Sequence, residues 1–174
     1  MFLTTPRLTL HPCDPAHLLA LIDDQRRFEQ LSGLRAADGL RDFYVSDDVS
    51  PQWLDDLRRS AGADPWRHGF FVVHAVSGAV IGSAGFVGPP DASGIVEIAY
   101  GIVPGFPGQG FATEVAAALV QFALENEGVR LIRAHTLPET NASTRVLTNC
   151  GFRNTGTVLD PGDGPVWRWE RGRS

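Results

Sequence analysis

At 174 residues and 18.8 kDa, the chain has the length of about one domain, enough to bury a core without disulfides or a structural metal. Its 43% hydrophobic and 20% charged residues exclude a disordered chain, and having only Cys13 and Cys150 excludes a disulfide scaffold and a four-cysteine zinc site. The net charge of −5 argues against a nucleic-acid partner, and fifteen basic residues without one lysine exclude a lysine base or Schiff base.

No apolar run reaches the ~20 residues of a membrane helix. The opening MFLTTPRLTLHP lacks the basic start and apolar stretch of a secretion signal. The expectation is one domain over residues 1–174, soluble and cytoplasmic, with no membrane partner. Arg7-Leu8-Thr9-Leu10 alternates and reads as a strand. Asp14-Pro15 and Ser50-Pro51 each pair a capping residue with a proline suited to a first helical position. They open helices carrying Leu18, Leu19, Leu21 and Ile22, then Trp53, Leu54 and Leu57. The stretch 26–49 has charge without periodicity and receives no assignment.

From Gly69 the texture changes. Phe70 to Val76, Ala79 to Val87 and Ile95 to Val103 read as three strands in meander order, hence antiparallel. Pro104 to Gly110 is too rich in glycine and proline for an element interior. A helix opens near Phe111 with Val115, Leu119, Phe122 and Ala123 on one face, ending near Gly128. Val129 to Thr136 is a strand, Asn141 to Asn149 a short helix, and Phe152 to Leu159 and Val166 to Glu170 are closing strands. The fold class is mixed α/β with a largely antiparallel sheet.

The segment PGFPGQGFATE joins a strand to a helix. Its glycines permit close approach to the main chain. The helix start offers free N–H groups and the positive end of a dipole, which suits an anion such as a pyrophosphate. A Walker loop is excluded because it needs a lysine. A dinucleotide fingerprint would sit in an early parallel βαβ unit, not after an antiparallel meander.

Several stretches together resemble the GNAT superfamily of acetyl-CoA-dependent N-acetyltransferases, in its RimJ/RimL-like branch. They are the opening TTPRLTLHP, then EIAYGIVPGFPGQGFATE, LPETNASTRVLTNCGF and WRWE. The sequence departs from the branch at His11 (usually Arg), at Gly105 (often Gln or Arg), at Thr140 (in the usual Asn place) and at Leu147, where many relatives carry a tyrosine general acid. The resemblance implies a sheet of about six or seven strands flanked by about four helices. It also implies acetyl-CoA as the acetyl donor, no metal, and a primary amine acceptor, either a small molecule or a protein N-terminus. Ile102 and Val103 would offer N–H groups to the pantetheine arm and thioester. Gly108, Gln109, Gly110, Phe111, Ala112 and Thr113 would cradle the pyrophosphate, and Asn141 would bond the pantetheine region.

Attack of an amine on a thioester needs a proton acceptor, because an α-amino group has a pKa of roughly 8 and a lysine of roughly 10.4. Glu97, the one charged residue in IVEIAYGIV, is the candidate base; alternation equally permits a solvent-facing strand residue. Ser143 is the candidate for protonating or orienting the leaving sulfur, with helix capping by Asn141 or Ser143 as the other reading. Glu114 reads as structural and His135 as a packed strand histidine. Arg130 and Arg145 are candidate partners for the ribose phosphate. The pairs Asp23-Asp24, Asp47-Asp48 and Asp55-Asp56 suit either a cationic amine or a solvated surface. The alternative function is a non-catalytic acyl-CoA-binding or sensing module, and an exposed sheet edge could pair two copies into a homodimer.

Overall fold

A computed structural model describes residues 2–46, 49–107 and 109–173. In chain order the elements are β1 (Leu3–Thr4), β2 (Leu8–Pro12), α1 (Pro15–Asp23), α2 (Gln25–Ser32), β3 (Arg35–Ala36), α3 (Asp42–Val45), α4 (Pro51–Arg59), α5 (Pro65–His68), β4 (Phe70–His74), β5 (Ala79–Phe86), β6 (Ile95–Ile102), α6 (Phe111–Leu124), β7 (Leu131–Thr136), α7 (Ala142–Asn149), β8 (Arg153–Asp160) and β9 (Gly164–Gly172). The strands form one sheet in the order β1-β2-β4-β5-β6-β7-β9-β8, with β3 beside β5. All pairings are antiparallel except β3·β5 and β6·β7.

The mixed fold and the antiparallel meander β4-β5-β6 follow the sequence reading. The described residues hold nine strands and seven helices, more than the expected six or seven and four. The surplus is mostly short: β1 and β3 have two residues each, α3 and α5 four each. Elements this short carry no period to read.

The local chemistry explains the starts. Asp14 and Ser50 accept from Ala16 N and Trp53 N, each ahead of a proline at the first helical turn. Asn141 and Thr144 form a reciprocal capping box on α7. Helix α6 ends at Leu124 rather than near Gly128. Arg173 of the last strand region donates to the carbonyls of Leu124, Asn126 and Val129, and a turn held by Asn126 follows. A cation on those terminal carbonyls stabilises an earlier stop.

Both faces of the central strands are buried, so Phe70 to Val73 is continuously apolar. Phe70 packs edge-on to Phe122 of α6. Its neighbour Phe71 points the other way, onto Phe28 of α2 and Tyr44 of α3. One layer, α6 with α7, thus covers one side of the sheet, and α1 to α4 cover the other.

Candidate active site

The β6·β7 pairing is short. It runs over Ile95↔Leu131, Val96↔Ile132 and Glu97↔Arg133, with no later rung among the described residues. Both strands nevertheless continue, β6 to Ile102 and β7 to Thr136, so they part beyond Glu97. Strand β6 stays with β5: Val87 N donates to Glu97 O at 2.9 Å and Val103 N to Ile81 O at 2.8 Å. Alternate residues of an antiparallel ladder face the same neighbour. The ladder therefore turns the Glu97, Ala99, Gly101 and Val103 backbone toward β5, and the N–H groups of Tyr100 and Ile102 toward the gap.

A cleft of about 360 Å³ occupies the mouth of that gap. Its walls are Ile102 and Val103 from the strand end, Gln109 and Gly110 from the turn, Phe111, Ala112 and Thr113 from the first turn of α6, and Ala142, Arg145, Val146 and Asn149 from α7. Gly110 precedes α6 with φ 78° and no side-chain cap. The first intrahelical bond is Glu114 N to Gly110 O, so the N–H groups of Phe111, Ala112 and Thr113 have no helical carbonyl to bond. Together with the dipole and the Arg145 guanidinium, they give the cleft a positive rim. Phe106 and Phe111 pack against His74 of β4 and pin the turn to the sheet.

Glu114 lies one turn on. Thr5 Oγ1, Arg7 N and Arg7 Nε all donate to its carboxylate, and Arg7 also lies 4.3 Å over the Phe111 ring. Burial works to raise this carboxyl, but the hydrogen bonds from Thr5 and Arg7 outweigh it and hold it below its ordinary value. It fastens the start of the chain to α6.

Glu97 sits at the last rung, where the strands part. Its Oε2 lies 3.1 Å from His135 Nδ1, and Arg168 Nε donates to His135 Nε2 at 3.1 Å. Arginine only donates, so Nε2 is the acceptor and the ring proton is on Nδ1, the nitrogen beside the Glu97 carboxylate. Beside this row, Arg133 donates twice to Glu170 Oε2, at 2.7 and 2.9 Å. These side chains share the sheet face opposite α6, since the register pairs Glu97 with Arg133, His135 with Arg168 and Arg133 with Glu170.

On that same face, further along β6, lies a second cavity of about 330 Å³. Ala99 and the β5 residues Ser83 and Gly85 form its floor, with Phe43 and Tyr44 of α3, Trp53 of α4 and Arg67 of α5 around it. Much of one wall thus comes from the region between α1 and α5.

Ile102, Gln109, Gly110, Phe111, Ala112 and Thr113 meet in the cleft as a set. Gly108 lies outside the described residues. Val103 lines the cleft, but its N–H is bonded to Ile81, so it is not the free donor expected. The N–H groups facing the gap are those of Tyr100 and Ile102. Asn141 accepts from Thr144 N as the α7 cap. Neither Asn141 nor the exposed Ser143 is among the cleft-lining residues. The lining face of α7 is Ala142, Arg145, Val146 and Asn149, a spacing of one helical stripe that the sequence already carried. Leu147 is buried at 1% exposure. Arg130 precedes the paired end of β7, opposite the cleft, with Gly94 against it. Asp23 and Asp55 form surface pairs with Arg27 and Arg58, Asp24 caps α2, and Asp47-Asp48 lies outside the described residues.

The sequence pattern of the Acetyltransferase (GNAT) domain matches residues 7–153. A Bacillus subtilis protein named Uncharacterized N-acetyltransferase YjdG is 30% identical over 111 residues, 64% of this chain and 64% of that protein. The chain thus matches just under two thirds of that relative's length. Two solved structures share the fold across nearly the whole chain. The ribosomal-protein-S5-alanine acetyltransferase of Vibrio fischeri superposes with a TM-score of 0.69 at 12% identity, covering 100% of this chain and 97% of that one. RimL, a ribosomal L7/L12 alpha-N-protein acetyltransferase in complex with coenzyme A, superposes at 0.66 with 14% identity, covering 99% and 98%.

Proposed function

The chain belongs to the GNAT acetyltransferase family, and we propose that it transfers an acetyl group from acetyl-CoA to a primary amine by direct attack on the thioester. The observation that carries this reading is the parting of β6 from β7, which opens a cleft ending on the free N–H groups of α6. A relative of the same fold has been captured with coenzyme A. The residues here fit that ligand. Gly110 adopts a conformation barred to most side chains, and among the described residues only Arg7 Nη2 lies nearby, 3.2 Å from where a Cβ would stand. The backbone of Gly110 to Thr113 would hold the pyrophosphate, with Arg145 as its counter-charge. The Ile102 and Tyr100 N–H groups would hold the arm in the gap.

Bound there, acetyl-CoA supplies an activated acyl group whose oxygen gains charge during attack. Donors fixed beforehand on β6 stabilise that charge without reorganising. Holding both reactants at the gap can contribute up to about 7–11 kcal/mol. Glu97 takes the amine proton, directly or through a water. His135, oriented by Arg168, keeps its Nδ1 3.1 Å from Oε2 and leaves Oε1 to accept it. The thiolate leaves beside the positive rim of Arg145 and α6. The amine would enter from the cavity floored by Ala99, because β6 borders both spaces.

One observation favours the second reading, a non-catalytic acyl-CoA-binding module: Leu147, buried and apolar, stands where many relatives place an acidic tyrosine. Calorimetric titration with acetyl-CoA, beside free CoA and ADP, comes first. Micromolar acetyl-CoA affinity with much weaker ADP binding supports the assignment; no acetyl-CoA binding sinks it. Amine-dependent thiol release, lost in Glu97→Gln, then separates the enzyme from the binder.

A further inference from the structure

We propose that the cavity under α3 and α4 selects a small monoamine with an aromatic-sized apolar body and an anionic oxygen, such as an aromatic amino acid, over a polycationic amine. This deepens the acetyl-transfer reading and rests on it. The cavity holds about 330 Å³, at the low end of small-molecule sites, which run from about 300 to 1,000 Å³. That is room for one ring system with its substituents. Phe43, Tyr44 and Trp53 line it, and the Tyr44 and Trp53 rings lie nearly parallel with centroids 6.4 Å apart. Flat apolar walls of this kind favour a flat apolar guest.

The polar groups fix the rest. Tyr44 is 7% exposed, and among the described residues its hydroxyl is the one buried side-chain polar atom without a hydrogen-bond partner. Ser83 on the cavity floor approaches it closely enough to oppose, weakly, the effect of burial on the phenol, but not within hydrogen-bonding geometry. A buried hydroxyl left unpaired is costly, and a guest's oxygen seated against the Tyr44 ring would satisfy it once a small turn of that ring uncovers the hydroxyl. Burial keeps the phenol protonated, so it is a donor that asks for an acceptor. Two other polar side chains of the wall are already used. Trp53 Nε1 donates to Arg67 O. The His68 ring lies 3.1 Å from Ser60 Oγ and accepts from Asp64 N. Arg67 is different: Asp64 approaches only its Nε, at 3.4 Å, and the side chain is 56% exposed at the rim. Its remaining N–H groups fit a carboxylate and repel further positive charge.

The route to the reaction runs along β6. Phe43 lies against Gly101, where any Cβ would stand 2.7 Å from the ring. The cavity's edge thus rests on the strand whose next residue, Ile102, lines the cofactor cleft.

The test compares kcat/KM, with acetyl-CoA as donor, for phenylalanine and tryptophan, for phenethylamine and tryptamine, and for spermidine. The proposal expects the amino acids to lead their decarboxylated partners by about tenfold, and spermidine to come last. Tyr44→Phe should lower the amino-acid kcat/KM by roughly tenfold while leaving acetyl-CoA affinity and Tm undiminished, because it deletes an unsatisfied group. Arg67→Gln should bring the ratio of amino acid to decarboxylated amine close to one. A preference for spermidine, no turnover of any of these amines by a protein that binds acetyl-CoA, or a Tyr44→Phe variant that loses Tm without losing selectivity overturns the proposal and leaves acetyl transfer standing. If acetyl-CoA itself does not bind, the acetyl-transfer reading fails. Direct calorimetric titration with phenylalanine then still decides on the cavity, by whether binding is present and weakened in both variants.

Discussion

Glu97 shows how a single side chain acquires a role from its neighbours. Alone on an apolar strand it reads equally as a base or as a surface residue. Its place at the last β6·β7 rung, with His135 Nδ1 at 3.1 Å, holds the carboxylate where the cleft opens. Glu97→Gln should lower kcat by about 10²–10⁴-fold with acetyl-CoA affinity unchanged by calorimetry. His135→Ala should lower kcat without raising KM for acetyl-CoA. His135→Gln, which keeps an N–H to donate, should recover part of the loss; a purely structural histidine would show no such rescue. Glu114 belongs to stability instead. Its carboxyl is held low, so its contribution is fully present above the ordinary carboxylate range near ~4.3 and is lost as pH falls through the folded value. Glu114→Gln should cost about 1–3 kcal/mol at neutral pH, toward the lower figure because Arg7 is 43% exposed. Thermal melts of variant and parent should converge in acid.

At the scale of elements, the ends of α6 and α7 divide the work. Asn141 is bonded to its own helix. Asn141→Ala should therefore lower stability by about 1 kcal/mol and leave acetyl-CoA binding nearly intact, the reverse of what a pantetheine contact predicts. Gly110 has φ 78°. Gly110→Ala should cost about 1–2 kcal/mol in strain and weaken acetyl-CoA binding by shifting the turn away from its positive φ, measurable by melting and calorimetry together. Element starts were legible because they are local: Asp14-Pro15, Ser50-Pro51 and Asn141 each act within one turn. The stretch from Arg26 to Val49 was not legible. Helices α2 and α3 there carry Phe28 and Tyr44 as their buried anchors, and β3 has only two residues, too little for a period to register.

At the scale of the whole molecule, the cleft joins the end of β6 to two helices, α6 and α7. Its walls come from β6, α6 and α7, and Arg7 and Glu114 tie the chain's start to the same helix. A ligand seated there should stabilise the chain as a unit. Acetyl-CoA at about 100 times its Kd should add about 2.7 kcal/mol to unfolding. For a chain of this size that raises Tm by roughly 5–10 °C, a shift ADP should reproduce only weakly.

The sequence by itself determined what depends on neighbours in the chain: the alternation of β2, the apolar strand runs of β4 to β6, the proline-led helix starts, the glycine turn opening α6, and the motifs that place the chain among the GNAT acetyltransferases. Only the tertiary structure decided which N–H groups face the gap, because that depends on which neighbour β6 bonds; Val103 is spent on Ile81, while Tyr100 and Ile102 are turned away from β5. It likewise decided that His135 and Arg168, 38 and 71 positions beyond Glu97 in the numbering, complete its surroundings. Register across three strands sets that meeting, and no local pattern in the chain encodes it.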